Sequence, residues 1–256
     1  MRRHGGHSAG FNRRRSAGAD YWGATVRVGA VVLARTESKR LPGKALCDLN
    51  GQPLIQYAFD TCRATPGIDI TVLATTDRPE DDRLADYAAS QAVPCFRGSQ
   101  DDVAGRFLGA MEAFALVGAV RFNGDSPLNT PGVLAEAVSL FRTGDWDLIT
   151  NVPGRTYPFG ASAEVVSIDI MRAACAAMVS AAHREHVTKL FYDEPAFART
   201  CRMTAGTPGM AGVQLAVDSP GDLDRVAWIL QQLNGPLAET PLEVLVDLAR
   251  AYDAAK

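Results

Sequence analysis

The sequence has little of several things, and each shortage excludes a class. It has five cysteines in 256 residues. The number is odd, and no two of them stand at the spacing of a structural zinc site. No recognisable signal peptide precedes them, so reduced thiols and a cytoplasmic setting are expected. No apolar run approaches the roughly 20 residues that a membrane span needs. No internal repeat is visible. Residues 1–20 hold five Arg and one Asp, a charge of +4, which leaves −7 on the remainder of a chain whose total is −3. An acidic body argues against nonspecific nucleic-acid binding. Residues 1–25 are rich in Arg, Gly and Ser without hydrophobic periodicity, so they are expected to form a disordered basic extension. They are only weakly like a transit peptide and more like a dispensable extension.

Hydrophobic residues make up 47% of the chain, enough for a sizeable core. Residues 26–256 are expected to be one domain, with an excursion at about 151–212 where the pattern changes. Up to residue 151, short apolar runs alternate with helical periodicity. Strands are expected at about 28–34, 68–74, 93–96, 119–122 and 147–150, and helices at about 54–62, 79–92, 103–114 and 133–141. That rhythm argues for a doubly wound α/β sheet. After 151 the sequence predicts a loop, a strand over 164–168, a helix to about 182 and another opening at 183–188. It then predicts a strand over 213–217 and helices near 223–230 and 242–252.

The most informative stretch is Ala34-Arg35-Thr36-Glu37-Ser38-Lys39-Arg40-Leu41-Pro42-Gly43-Lys44. It follows the first buried strand, and in an open α/β sheet ligands bind beyond the carboxyl ends of strands. Arg35, Lys39, Arg40 and Lys44 face a single acid, Glu37, which suits an anion of several charges such as a triphosphate. Two familiar phosphate loops do not fit. A Walker loop would need Gly at Ser38 and a hydroxyl at Ala45, and a dinucleotide fingerprint would need glycines between Ala34 and Gly43, where there are none. The loop therefore relies on side-chain charge.

Asp125 and Asp218 stand in matching contexts, each after an apolar run and each followed by Ser-Pro. Asp oxygens suit Mg²⁺, which takes one or two carboxylates plus phosphate oxygens. The competing role is helix N-capping, for which Asp is also well suited. The pairing of both with a cationic loop favours the metal. His183 and His186 stand at a helical opening, where a cap or packing role is commoner than catalysis. No proton transfer is assigned to them.

Ala34-Arg35-x-x-Ser38-x-Arg40-Leu41-Pro42-Gly43-Lys44 resembles the opening signature of the CMP-KDO synthetase and CMP-N-acylneuraminate synthetase cytidylyltransferases. Within that superfamily it is most like the spore-coat polysaccharide biosynthesis protein F branch. The likeness continues through Ala74-Thr75-Thr76, Phe96-Arg97-Gly98-Ser99-x-Asp101-Asp102-Val103, Gly124-Asp125-x-Pro127, Arg155-Thr156-Tyr157-Pro158, Arg184-Glu185-His186-Val187-Thr188 and Val217-Asp218-Ser219-Pro220. These lie in the family's order across residues 28–234. The resemblance implies a GT-A-type nucleotidyltransferase with a mostly parallel sheet, CTP as donor, Mg²⁺ as cofactor and often a homodimer.

By carry-over, Arg35 and Lys44 would be catalytic, and Ala34, Arg35, Ser38, Arg40, Lys44, Thr75, Arg97, Ser99, Asp102 and Asn123 would bind the nucleotide. Asp125 and Asp218 would bind metal, and Arg155, Tyr157, Glu164, Arg184 and His186 would face the acceptor. CMP would pass to an acidic acceptor, a sugar acid of a surface-polysaccharide pathway being favoured. Three departures bear on this. Glu37 replaces a small residue, and Phe159 and Ser162 stand where that branch carries acids. A less negative pocket would also suit a small phosphonate acceptor. Another donor nucleotide, or a relative that binds nucleotide without turnover, are the remaining alternatives.

Overall fold

The computed structural model describes residues 27–38 and 40–256. The expected extension at 1–25 and the cation Lys39 lie outside them. The chain begins with β1 (Arg27–Leu33), whose side chains alternate between two cores. Val28, Ala30 and Val32 point to one, and Val31 to the other. That double burial is why the strand reads as an unbroken apolar run. After the basic loop a short hairpin, β2 (Asp48–Leu49) and β3 (Gln52–Pro53), turns through Asn50 and Gly51 into α1 (Leu54–Ala64). Apolar patterning does not predict this hairpin. It is too short to show a period of two.

The predicted alternation then follows: β4 (Ile70–Thr76), α2 (Asp82–Ser90), β5 (Cys95–Gly98), α3 (Val103–Ala113), β6 (Leu116–Asn123), α4 (Pro131–Arg142) and β7 (Leu148–Thr150). Beyond it come β8 (Glu164–Ser167), α5 (Ile168–Ala177), α6 (Ala181–Glu185), α7 (Lys189–Asp193), β9 (Thr200–Arg202), α8 (Pro220–Gln231) and α9 (Leu242–Ala254). The sheet runs β5-β4-β1-β6-β8-β7-β9. It is parallel except at β8, which is antiparallel to both neighbours. The expected mixed, mostly parallel doubly wound fold is observed. Residues of α1, α2, α4, α8 and α9 pack on one face, and those of α3, α5 and α7 on the other.

Two expectations after residue 151 are corrected. The helix expected to run to about 182 stops at Ala177, because Ser180 starts a new one by accepting a hydrogen bond from the His183 amide. The strand expected at 213–217 is an extended segment with a single bridge, Gln214 to Phe159. Its backbone instead serves the loops of the site. The Leu215 amide donates to the Phe159 carbonyl at 2.8 Å, and the Val217 amide to the Asp125 carbonyl at 2.8 Å.

The strand order fixes where a ligand can sit. From β1 the chain moves outward to β4 and β5, then returns to place β6 on the other side of β1. The carboxyl ends of β1 and β6 therefore flank the topological switch point. Gly124 makes their close approach possible. Its amide donates to the Leu33 carbonyl at 2.9 Å, and a Cβ there would lie 2.8 Å from that of Ala34.

Candidate active site

Lys44 opens a short 3₁₀ turn after Gly43, which adopts φ 72°. The turn aims the Lys44 ammonium across the switch point. Nζ lies 2.8 Å from Asp125 Oδ2, 3.6 Å from Asp218 Oδ1 and 3.1 Å from the Val217 carbonyl. Arg40 reaches the same Asp218 Oδ1 at 2.9 Å. Two carboxylates from distant segments thus converge on one cation.

The capping role considered for these carboxylates is not the one they play. Helix α8 is capped by Ser219, which forms a reciprocal capping box with Asp222. The residue before α4 is Thr130, and no side chain caps that helix. Asp125 and Asp218 are free of capping and point into a cleft of about 530 Å³, shared with Asn123, Arg155, Phe159, Ser162 and Gln214.

Arg35, at the end of β1, lies close to Arg106 of α3, and it has no carboxylate partner among the described residues. Arg106 is buried and donates to the Ser99 carbonyl. Burial, and then the Arg35 charge, pull its guanidinium down from the usual value. Asp81, Asp102 and Asp77 offset part of this at Arg106, while Arg35 itself is left facing the end of the sheet as a cation that an anion could neutralise. Glu37 does not spoil it. It turns to Arg78 at 3.5 Å and lines a separate cavity.

The other residues expected around the nucleotide form the walls behind this loop. Ser38 Oγ accepts from the Leu41 amide. Thr75 is buried and donates to Asp81 at 3.0 Å. Arg97 ties the end of β4, through the Thr76 carbonyl at 2.9 Å, to Asp82 at 2.6 Å. Ser99 Oγ accepts from the amides of Asp101 and Asp102. Asp102 caps α3 through Gly105 and pairs with Arg184 at 2.7 Å. An expected nucleotide residue and an expected acceptor residue are therefore directly bonded.

The five residues expected at the acceptor are not all in one place. Arg155 lines the cleft, with its guanidinium 4.7 Å over the Phe159 ring. Burial pulls it down from its ordinary pKa, opposed by Glu164 and Tyr192. Tyr157, on the same loop, points the other way. It is 5% exposed and lines a second cavity with Glu136 and Glu243. Burial pushes its phenol up, and those two acids add to the effect. Glu164 is buried against Arg121 at 2.6 Å and takes a hydrogen bond from Tyr192. His186 is exposed at the end of α6.

Four supporting residues were not singled out from the sequence. Asp81 is buried and accepts from the Thr36 amide at 2.7 Å and hydroxyl at 2.6 Å, and from both Thr75 and Thr76. Burial alone would push its carboxyl up. The hydrogen bonds from Thr36, Thr76 and Thr75 outweigh it and hold the carboxyl below the usual range. Asp81 pins the basic loop to the end of β4. In the sequence it was one of several acids at a helix start. Arg106 and Tyr192 gave no signal. Arg121 did give one, a charge inside an apolar strand.

A family model described as Cytidylyltransferase matches residues 30–195. The spore coat polysaccharide biosynthesis protein SpsF of Bacillus subtilis is 29% identical over 236 residues, covering 88% of this chain and 95% of that protein. A 3-deoxy-manno-octulosonate cytidylyltransferase of Synechococcus elongatus is 34% identical over 132 residues, 50% of this chain and 52% of its own length. Among solved structures, a cytidylyltransferase from Leptospira borgpetersenii superposes with a TM-score of 0.83 at 21% identity, covering 90% of this chain and 96% of that one. At that identity the likeness is one of fold.

Proposed function

Because the chain belongs to the cytidylyltransferase family, we propose that its cleft transfers CMP from CTP to an anionic acceptor, a sugar acid, with release of pyrophosphate. The observation that carries this reading is the convergence of Lys44, Arg40, Asp125 and Asp218 at the switch point of the sheet. The relatives' names support the acceptor class. One acts on 3-deoxy-manno-octulosonate and another is named for polysaccharide biosynthesis.

The roles follow from charge. Arg35, Arg40 and Lys44 bind the triphosphate, and Arg106 lends its charge from below. An acceptor oxygen attacks the α-phosphorus in line. The bond from that phosphorus to the bridging oxygen breaks, and pyrophosphate leaves with the electron pair. Arg35 and Lys44 neutralise the charge that grows on it. Ala34, Ser38, Thr75, Arg97, Ser99, Asp102 and Asn123 shape the nucleotide's surroundings. Most of them act by fixing loops.

Asp125 and Asp218 already share one cation, the Lys44 ammonium, so their oxygens suit a divalent ion. Among the described residues, no group of three or more His, Cys, Asp or Glu is placed to hold a metal. Two carboxylates completed by phosphate oxygens are the donor set that Mg²⁺ prefers. Bound there, Mg²⁺ would screen the α-phosphate and lower the acceptor hydroxyl's pKa.

The acceptor's charge is read from Arg155. Arg155 lines the cleft and hydrogen-bonds only to neutral oxygens, so its charge is left for the acceptor. Phe159 is 47% exposed beside it and offers an apolar face. The test is pyrophosphate release with each of the four nucleoside triphosphates against sugar acids and small phosphonates. Release with CTP and a sugar acid is the expected result. Release only with phosphonates would overturn the acceptor class. No turnover with any acceptor, while CTP still binds, would favour a nucleotide-binding relative.

A further inference from the structure

A part-buried polar cluster with no part in the chemistry above neighbours Arg155 electrostatically. It joins Arg121 of β6, Thr150 of β7, Glu164 of β8 and Tyr192 of α7. Glu164 is 1% exposed. Its Oε2 takes Arg121 Nη1 at 2.6 Å, and its Oε1 accepts from the Tyr192 hydroxyl. That hydroxyl also lies 2.9 Å from Thr150 Oγ1. Both oxygens of the carboxylate are engaged. A buried carboxylate needs such partners.

Arg155 is treated differently. Its guanidinium donates hydrogen bonds only to neutral oxygens, the Pro158 carbonyl at 3.2 Å and Ser162 Oγ at 3.5 Å. Glu164 and Tyr192 are its electrostatic neighbours, yet neither pairs with it. A planar guanidinium and a carboxylate bind each other strongly when both are available. Here Glu164 is not available.

We infer that Arg121 and Tyr192 are positioning residues that occupy both oxygens of Glu164, keep it from closing on Arg155, and so reserve the Arg155 guanidinium for the anionic group of the acceptor. This rests on the cleft being the acceptor site. Loss of Arg121 frees Oε2 of Glu164 to turn towards Arg155, whose charge already feels that carboxylate. Arg155 is then neutralised, and the cleft loses the positive charge that would meet the acceptor. Arg121 thereby sets acceptor preference without touching the acceptor.

The experiment reads Arg155 directly. Phenylglyoxal modifies an unpaired guanidinium faster than a paired one, and peptide mass spectrometry assigns the rate to each arginine. In the full chain, Arg155 is expected to react readily. In Arg121→Met the rate at Arg155 should fall about tenfold, and in Arg121→Met/Glu164→Leu it should recover. Tyr192→Phe, which keeps the ion pair, should give a smaller fall of a few-fold and carries the test if Arg121→Met does not fold. With a turned-over acceptor, Arg121→Met should raise the acceptor KM about tenfold, move kcat less and leave CTP affinity unchanged. An unaltered Arg155 rate in the folded variants overturns the inference, whatever the enzyme turns over. Absence of CMP transfer with a normal reactivity pattern overturns the functional reading instead.

Discussion

Lys44 and Asp125 stand 81 positions apart in the chain and 2.8 Å apart in the fold. The contact closes the switch point of the sheet, because the loop after β1 and the loop after β6 both end there. Removal of either partner leaves a half-buried charge facing the wrong neighbours. Lys44→Ala and Asp125→Ala should each lower kcat by about 10²-fold or more, the scale of removing one preorganised electrostatic partner. Pyrophosphate release with CTP checks this, and near-normal turnover in either variant would refute the assignment.

Asp218 and Ser219 are adjacent but do different work. Ser219→Ala removes the cap of α8 and should cost about 1 kcal/mol of stability, or roughly 2–4 °C in Tm, with turnover nearly intact. Asp218→Asn should do the reverse, with a large loss of turnover and little change in melting. Paired melting and rate measurements on the two variants separate the roles. Equal effects on both readouts would mean that capping and catalysis are not divided in this way.

Asp81 gives the structure a pH signature. Its carboxyl is held below the ordinary range, so the native state binds a proton there less readily than the unfolded chain. Its stabilising contribution is fully present above the unfolded carboxylate value, about 3.9. It is lost as pH falls through the depressed native value. Asp81→Asn should be destabilised by about 2–3 kcal/mol at pH 7, as befits lost hydrogen bonds to a charged group. The gap from the native chain should narrow below about pH 4. Denaturant titrations at pH 7 and pH 3.5 check the sign, and a gap that widens on acidification would contradict it.

Gly160 has φ 91°, and a Cβ on it would lie 2.6 Å from the Ala216 amide nitrogen. The segment it would push leads directly to Asp218. Gly160→Ala should therefore cost about 1–3 kcal/mol of backbone strain and reduce turnover beyond its effect on melting. Comparing kcat well below the melting temperature with the loss in Tm measures the excess. Turnover that simply tracks the folded fraction would show that the loop does not set the position of Asp218.

The sequence alone determined the alternating part of this molecule. Parallel strands buried on both faces leave continuous apolar runs, and amphipathic helices leave a 3.6-residue period, so the run from β1 to β7, apart from the short β2–β3 hairpin, could be read with small boundary errors. The basic loop, Asp125 and Asp218 could also be picked out, because charges that follow apolar runs are local features. Tertiary structure alone decided the rest. The 213–217 segment looks like a strand because it is apolar, but its hydrogen bonds go to loops, which no local pattern reveals. Arg155 and Tyr157 share one motif and face different cavities, because the loop's path is set by packing at positions far from it. Glu164 is expected in the acceptor site and is instead buried. Arg121, 43 positions earlier, claims its charge. Such pairings depend on which strands become neighbours, and β8 reaches β6 only through the antiparallel turn of the chain that ends the regular alternation.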